Sequence, residues 1–217
     1  MARRPATEQG DTLECIRREA FRLFGRYGYD GVSMLQVAKA AGVTKAALYW
    51  HFDSKESLFL DCQRQLHQIF NFHVLQRMQR QDTVGEQLKN MFYGVVQLLR
   101  DTRIRSGVAG YWLSSASLNT DKAIAAHRAF DEASIRAMQA VMQRALDEAV
   151  MVSDISAHDM ARTSIAVWEG LVLPLRTEPF AVIERLILTL ARTYFRAHGA
   201  PRLADEMATG PALQRSA

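Results

Sequence analysis

Hydrogen-bond donors and aromatic side chains are concentrated between residues 44 and 55 of the sequence. The members of this cluster can contact phosphates or base edges: Thr44, Lys45, Tyr49, Trp50, His51 and Lys55. No aspartate or glutamate occurs from Gly31 to Phe52. Because donors and planar rings without a nearby acid suit contact with a polyanion, this pattern favours nucleic acid as a binding partner.

Two short helices joined by a tight turn are predicted to position this cluster. Ser33 is the expected N-cap of the first helix, because its hydroxyl can accept a hydrogen bond from a free amide in the first turn. Gly42 is expected to make the turn, since glycine enters the left-handed region without a Cβ penalty. An apolar seam joins the elements through Val37, Ala41, Val43, Leu48 and Phe52. The arrangement is typical of a helix-turn-helix.

Composition and periodicity predict an all-α protein of about nine helices. The 217 residues are 48% hydrophobic and 23% charged, which is ordinary for a globular chain, and the net charge of +4 permits a nucleic-acid partner without requiring one. Cys15 and Cys62 have no spacing suited to zinc, so neither a metal nor a cofactor is expected. No signal peptide or membrane-length apolar run is found, which predicts a soluble, cytoplasmic protein.

Four segments are predicted along the chain. Residues 1–11 are expected to form a flexible arm, 12–60 a three-helix domain containing the helix-turn-helix, 61–200 a second helical domain, and 201–217 a loose tail. A long helix starting after Ser54 is expected to link the two domains. The pattern further predicts helices over residues 12–27, 54–80, 83–101, 104–116, 120–150, 156–173 and 180–198.

The N-terminal segment resembles the DNA-binding domain of the TetR (tetracycline-repressor) family of transcriptional regulators. The agreement extends over residues 12–60, and beyond them it is limited to the number and length of the helices. The positions that carry it are Phe21, Phe24, Gly28, Gly31, Ser33, Val37-Ala38, Ala41-Gly42-Val43, Leu48-Tyr49, His51-Phe52 and Lys55-Glu56-Leu58.

The resemblance implies a homodimer that binds a palindromic double-stranded DNA operator and is released by a small-molecule effector. It places base contacts at Thr44, Lys45, Ala46 and Tyr49, and phosphate contacts at Ser33, Trp50, His51 and Lys55. Relatives often carry glycine, arginine, serine or asparagine where this chain has Ala46 and Ala47. Methyl contacts with thymine and DNA shape are therefore expected to contribute more here.

The predicted second domain contains aromatic and methionine side chains that suit a largely apolar effector of unknown identity. For any one of these residues taken alone, a packed core is the favoured explanation. The candidate ligand-contacting residues are Met91, Phe92, Val95, Tyr111, Trp112, His127, Phe130, Met138, Trp168 and Leu171. Tryptophan is difficult to bury without an acceptor for its indole N–H, and His127 supplies a polar group.

Dimerisation is expected to use residues 156–198, which have more apolar positions than one intramolecular face needs. Two alternatives stay open at this point. One is an all-α small-molecule-binding protein or enzyme with an incidental helix-turn-helix, and the other is a DNA binder without an effector. No nucleophile motif, phosphate loop or metalloprotease motif occurs in the sequence, so the expectation is that the protein is not an enzyme.

Overall fold

The computed structural model describes residues 6–112, 120–171 and 173–209. All regular secondary structure in these ranges is helical, which confirms the predicted all-α class. The α-helices are α1 (Ala6–Tyr27), α2 (Met34–Ala40), α3 (Lys45–His51), α4 (Lys55–Phe70), α5 (Gln76–Gln79), α6 (Val84–Arg100), α7 (Thr102–Arg105), α8 (Asp121–Asp147), α9 (Ala157–Gly170), α10 (Phe180–Ala197) and α11 (Pro201–Thr209).

Three parts of the chain differ from the predicted elements. Helix α1 begins at Ala6, within the stretch predicted as a flexible arm. The helix predicted over 104–116 is wrong for its described part, which contains only the end of α7 and a 3-10 turn at Ala109–Tyr111. The loose tail is also wrong for residues 201–209, because α11 forms there with Pro201 at its first position, where a missing N–H costs no hydrogen bond. The remaining tail and arm residues lie outside the described ranges.

Two compact units make up the chain. The first contains Met1–Gln68 and Thr102–Ala129, and the second contains Ile69–Asp101 and Phe130–Ala217. The helix-turn-helix therefore shares a unit with α7 and the following 3-10 turn, which the sequence had placed with the second domain. The predicted boundaries at residues 12, 60 and 200 stay a prediction about independent domains.

An aromatic cluster forms the core of the first unit. Phe59 of α4 packs edge-on against Phe24 of α1 at 5.1 Å between ring centroids, and stacks on Tyr111 at 5.5 Å. An ion pair between Arg17 Nε and Asp61 Oδ2, 2.9 Å long, joins α1 to α4 beside this core. These contacts hold α1 and α4 together and so fix the frame on which the two short helices pack.

Glycines allow the backbone of the 3-10 turn to lie directly against α1. A Cβ at Gly110 would overlap the carbonyl oxygen of Phe24, and one at Gly25 would overlap the carbonyl oxygen of Gly107. No side chain larger than hydrogen fits at either place without moving backbone. The 107–111 segment is thus part of the packing at the end of α1.

The second unit is organised around α6, whose long apolar face packs against α10 and the 71–79 segment. Thr83 caps α6 by accepting a hydrogen bond from the Glu86 amide at 3.3 Å. Arg100, in the last turn of α6, pairs with Glu184 of α10 at 2.6 Å. The ends of α6 are therefore fixed by a cap and an ion pair, and its middle by apolar burial.

A π-helical turn at Asn71–Leu75 interrupts the predicted long helix, so that α4 and α5 follow each other through it. Gly94 of α6 lies against this turn, because a Cβ there would meet the carbonyl oxygen of His73 and the Cα of Val74. His73 Nε2 lies 3.2 Å from Asp101 Oδ2. Among the described helices none is long and apolar enough to cross a membrane.

Candidate functional site

The helix-turn-helix begins with a two-way cap at Ser33. The Gln36 amide donates to Ser33 Oγ at 3.2 Å, and the Ser33 amide donates to Gln36 Oε1 at 2.7 Å. This reciprocal pair satisfies two amides that the start of a helix leaves free. Ser33 was predicted as the cap; Gln36 was not, although its position three residues on carried the signal.

The turn and the next helix follow the expected local rules. Gly42 has φ of +67°, which confirms that the turn needs the left-handed region. Thr44 Oγ1 accepts a hydrogen bond from the Ala47 amide at 3.1 Å and so caps α3. Leu48 is fully buried beneath α3 and anchors it to the unit. Helix α3 is therefore positioned by one turn, one cap and one buried apolar side chain.

The outer face of α3 carries four of the predicted DNA contacts. Lys45 and Ala46 are exposed, Tyr49 keeps 42% of its surface, and Trp50 keeps 70%. Lys45 Nζ lies 5.6 Å from the Tyr49 ring centroid, a cation–π contact that holds the two side chains together. An exposed tryptophan and tyrosine beside a lysine make a face that can both stack and donate.

His51 and Lys55 are only partly exposed. Burial, with a smaller effect from Arg17, lowers the pKa of His51, so its imidazole is neutral at pH 7 and can donate through only one nitrogen. Lys55 Nζ lies 4.1 Å from the centroid of the Tyr29 ring, and burial lowers the pKa of Lys55. A phosphate at Lys55 would therefore meet an ammonium already held over an aromatic face.

A shallow depression opens beside the start of α3. Its lining combines the turn, the exposed indole and one residue of α1: Thr12, Gly42, Val43, Thr44, Ala47, Trp50 and His51. Thr12 was not among the predicted DNA contacts, because the sequence predicted it only as the first residue of α1. The depression adds concave surface next to the predicted phosphate contacts.

Three of the ten candidate ligand-contacting residues lie in the first unit. Tyr111 is buried there and donates its hydroxyl to the Phe21 carbonyl at 3.1 Å, so it serves the aromatic core. His127 Nδ1 lies 3.1 Å from His67 Nε2, and the Trp112 ring meets His127 edge-on at 5.8 Å. His67 was not among the predicted residues, and its pairing depends on the packing of two distant helices.

The other seven candidates lie in the second unit. Met91, Phe92, Val95, Met138 and Trp168 are buried, whereas Phe130 and Leu171 are partly exposed. The structure brings the Phe92 and Trp168 rings together at 5.6 Å between centroids. Tyr194 of α10, absent from the predicted set, also packs on Phe92, at 5.5 Å. Tyr194 and its neighbour Phe195 both pack on Phe92, and residue type alone does not reveal this contact.

Helices α9 and α10 expose apolar and small residues on their outer sides. Val167 and Gly170 lie three residues apart on α9, and nothing lies within 4 Å of a Cβ placed on Gly170. On α10, Leu186 keeps 42% of its surface. These positions give the predicted dimer segment a face that the isolated protomer leaves uncovered.

Comparison with known proteins finds a family that matches part of the first unit. A sequence model described as "Bacterial regulatory proteins, tetR family" matches residues 16–62, which run from α1 to the middle of α4. This part of the chain is therefore similar to the TetR family of regulators. The HTH-type transcriptional regulator AcrR of Shigella flexneri is 46% identical over 59 residues, which are 27% of this chain and 27% of AcrR. The chain thus matches only about a quarter of the length of that relative.

Solved structures extend the likeness to most of the fold. NalD of Pseudomonas aeruginosa, the secondary repressor of the MexAB-OprM multidrug efflux pump, has a TM-score of 0.67 at 20% identity, covering 88% of this chain and 98% of NalD. AibR in complex with isovaleryl coenzyme A and operator DNA has a TM-score of 0.64 at 20% identity, covering 82% of this chain and 97% of AibR. At this identity the likeness concerns the fold.

Proposed function

We propose that this protein is a DNA-binding transcriptional repressor of the TetR family that leaves its operator when a small, largely apolar effector binds. The observation that carries the proposal is the exposed face of α3, where Lys45, Tyr49 and Trp50 stand together on a stretch without a carboxylate. The exposed rings of Tyr49 and Trp50 leave apolar area in water that a partner would bury, and the donors beside them suit an anionic partner. An operator in the cytoplasm is the partner that fits.

The proposed contacts divide by the part of DNA they meet. Thr44, Lys45, Ala46 and Tyr49 face the bases, with Lys45 suited to a guanine edge and the Ala46 methyl to thymine. The proposed phosphate contacts are Ser33, Trp50, His51 and Lys55. Phosphate contacts set affinity and register, whereas the base contacts select the sequence.

The proposed homodimer forms through residues 156–198. The uncovered Val167 and Gly170 of α9 and Leu186 of α10 support it, since a two-fold contact would bury the same face on both protomers. Two recognition helices are needed to reach successive major grooves, which lie about 34–36 Å apart.

The proposed effector response draws support from the second unit and from the structural neighbours. The aromatic and methionine side chains around Phe92 suit an apolar ligand. One neighbour is named as an efflux-pump repressor, and another was solved with a coenzyme A thioester and operator DNA. Since the relatives are named as transcriptional regulators, no enzyme activity is proposed.

Gel-shift titration with a duplex selected from a random-sequence pool tests the recognition-helix assignment. Lys45→Ala and Tyr49→Ala are each expected to weaken binding about 10- to 100-fold, because each removes a contact worth about 1–3 kcal/mol. Lys122→Ala is the matched control, since Lys122 is an exposed lysine of the same unit outside the helix-turn-helix. Equal affinity of all three variants and the wild type would contradict the assignment. Size-exclusion chromatography should show every variant as a dimer.

A further inference from the structure

Trp168 is a buried hydrogen-bond donor without an acceptor. Its side chain keeps only 5% of its surface, and its Nε1 atom is buried with no hydrogen-bond partner among the residues that the structure describes. Buried polar groups in proteins are nearly always paired, so an unpaired indole N–H requires an explanation. A missing acceptor that arrives with a ligand is such an explanation.

The surroundings of Trp168 are aromatic. Its ring meets the fully buried Phe92 edge-on at 5.6 Å between centroids, and Phe92 also contacts Tyr194 at 5.5 Å and Phe195 at 5.4 Å. Trp168 and Tyr194 therefore pack on one common ring from two different helices. Two amphipathic side chains converge on an otherwise apolar cluster.

The Tyr194 hydroxyl, in contrast, has polar neighbours. It donates to Met142 Sδ at 3.6 Å. Burial raises the pKa of Tyr194, and a side-chain hydrogen bond with Ser164 lowers it by a smaller amount, so the hydroxyl keeps its proton at neutral pH. Ser164 donates its own hydroxyl to the Met160 carbonyl at 2.8 Å. Within this cluster the described donor that lacks an acceptor is therefore the Trp168 N–H.

We infer that the indole N–H of Trp168 is the polar anchor of the effector, which is an apolar molecule carrying an acceptor oxygen, as in a carbonyl, ether or carboxylate group. This inference rests on the proposed effector response. A ligand oxygen would give Trp168 its missing acceptor. Ligands whose only polar group is a donor, such as alkylammonium ions, are selected against because the Trp168 N–H would stay unmatched.

The test compares pairs of probes that differ by one oxygen. Benzophenone and diphenylmethane are one pair, and smaller and larger ketone–hydrocarbon pairs complete the panel. In the wild-type dimer the ketone of each binding pair is expected to bind about tenfold tighter than its hydrocarbon, a ratio equivalent to about 1.4 kcal/mol. Trp168→Phe should abolish this preference while the hydrocarbon's affinity changes little. Tyr27→Phe is the control, because Tyr27 is an exposed aromatic residue of the first unit, and it should retain the preference.

Nuclear magnetic resonance of the indole N–H groups reads the same contact in the wild type. The three tryptophans give three signals, assigned by single substitutions to phenylalanine. The Trp168 signal is expected at a position typical of an unbonded indole in the free protein and should move downfield with the ketone only. This measurement decides the question even where Trp168→Phe fails to fold.

The outcomes separate the two claims. A ketone preference that survives Trp168→Phe, equal affinity for both members of every binding pair, or a free-protein signal already typical of a hydrogen-bonded indole would overturn the role of Trp168 and leave the effector response intact. Binding of no probe from the whole panel would contradict the effector response itself, and the inference with it.

Discussion

Trp50 and Trp168 have the same side chain in opposite settings. Trp50 lies on α3 with 70% of its surface exposed, whereas Trp168 lies inside the second unit with 5% exposed and no acceptor for its N–H among the described residues. The first indole has too few apolar contacts and the second too few polar ones. We propose a partner for each setting, and the two proposed partners differ in kind: a polyanion outside and an apolar molecule with an oxygen inside.

The two surroundings also differ in how far sequence similarity reaches. The helix-turn-helix region matches its family over residues 16–62, whereas likeness across the second unit is one of fold at 20% identity. Because DNA is the same polymer for every such regulator, one helix-turn-helix scaffold can bind it in all of them. Effectors differ in shape and polarity, and an interior that binds them can change residue by residue without changing its helices.

Replacing Trp50 or Trp168 by alanine should give the largest effects, and the two variants should differ in which property changes. Trp168→Ala is expected to lower the free energy of unfolding by about 3 kcal/mol, because it leaves a cavity beside Phe92. Trp50→Ala should change it by less than about 0.5 kcal/mol and weaken operator binding about tenfold. Urea denaturation at one protein concentration and gel-shift titration measure the two quantities. A large stability loss in Trp50→Ala would assign that side chain to the core instead.

Gly110→Ala tests the backbone packing that supports the first unit. The added Cβ would overlap the backbone of Phe24 and Gly28, so we expect a loss of about 3 kcal/mol in the free energy of unfolding. Gly85→Ala is the control, because its Cβ would only reach ordinary contact with Leu203 Cδ2 at 3.4 Å. Similar unfolding midpoints for the two variants would show that the 3-10 turn does not pack tightly on α1.

Salt concentration should change the affinity for operator DNA much more than the affinity for a neutral ketone. With about four phosphates neutralised per dimer, raising salt about fourfold should weaken operator binding about 100-fold. Binding of a neutral ketone near Trp168 should change less than about twofold, since no counterion is released there. Fluorescence anisotropy with labelled duplex and calorimetry with the ketone provide the two salt series. Equal slopes would remove the distinction between an ionic surface and an apolar interior.

Acid should destabilise the first unit through His67. Burial, then the neighbouring ring of His127, lowers the pKa of His67 from 6.5 to about 4. Between these values the unfolded chain binds more protons, so the stabilising contribution is complete above about pH 6.5 and is lost as pH falls toward 4. The expected loss is about 3 kcal/mol, because each pKa unit corresponds to about 1.4 kcal/mol. Thermal unfolding of His67→Gln should show a weaker pH dependence, and that of His158→Gln, an exposed control, should follow the wild type.

Local features of the helix-turn-helix could be predicted because neighbouring residues decide them. Ser33 and Thr44 cap the helices that follow them, and Gly42 takes a positive φ. Each depends on backbone chemistry within four residues. The all-α class followed from apolar periodicity for the same reason.

Features that depend on distant packing could not be predicted in this way. Tyr111 belongs to the core of the first unit because Gly25 and Gly110 let its turn approach α1, and no local pattern shows that approach. The π-helical turn packs against Gly94 of α6, and the residues of the turn alone do not indicate this contact. Tyr194 and His67 are missing from the predicted set because their neighbours lie on other helices.

Selection of duplexes from a random-sequence DNA pool tests the central claim most directly. The wild-type dimer is expected to enrich one inverted repeat whose half-sites place successive major grooves about 34–36 Å apart, and Lys45→Ala is expected to lose that enrichment. A correctly folded dimer that leaves the pool unchanged, or that enriches the same repeat with and without Lys45, would contradict the assignment of α3 as the base-reading helix.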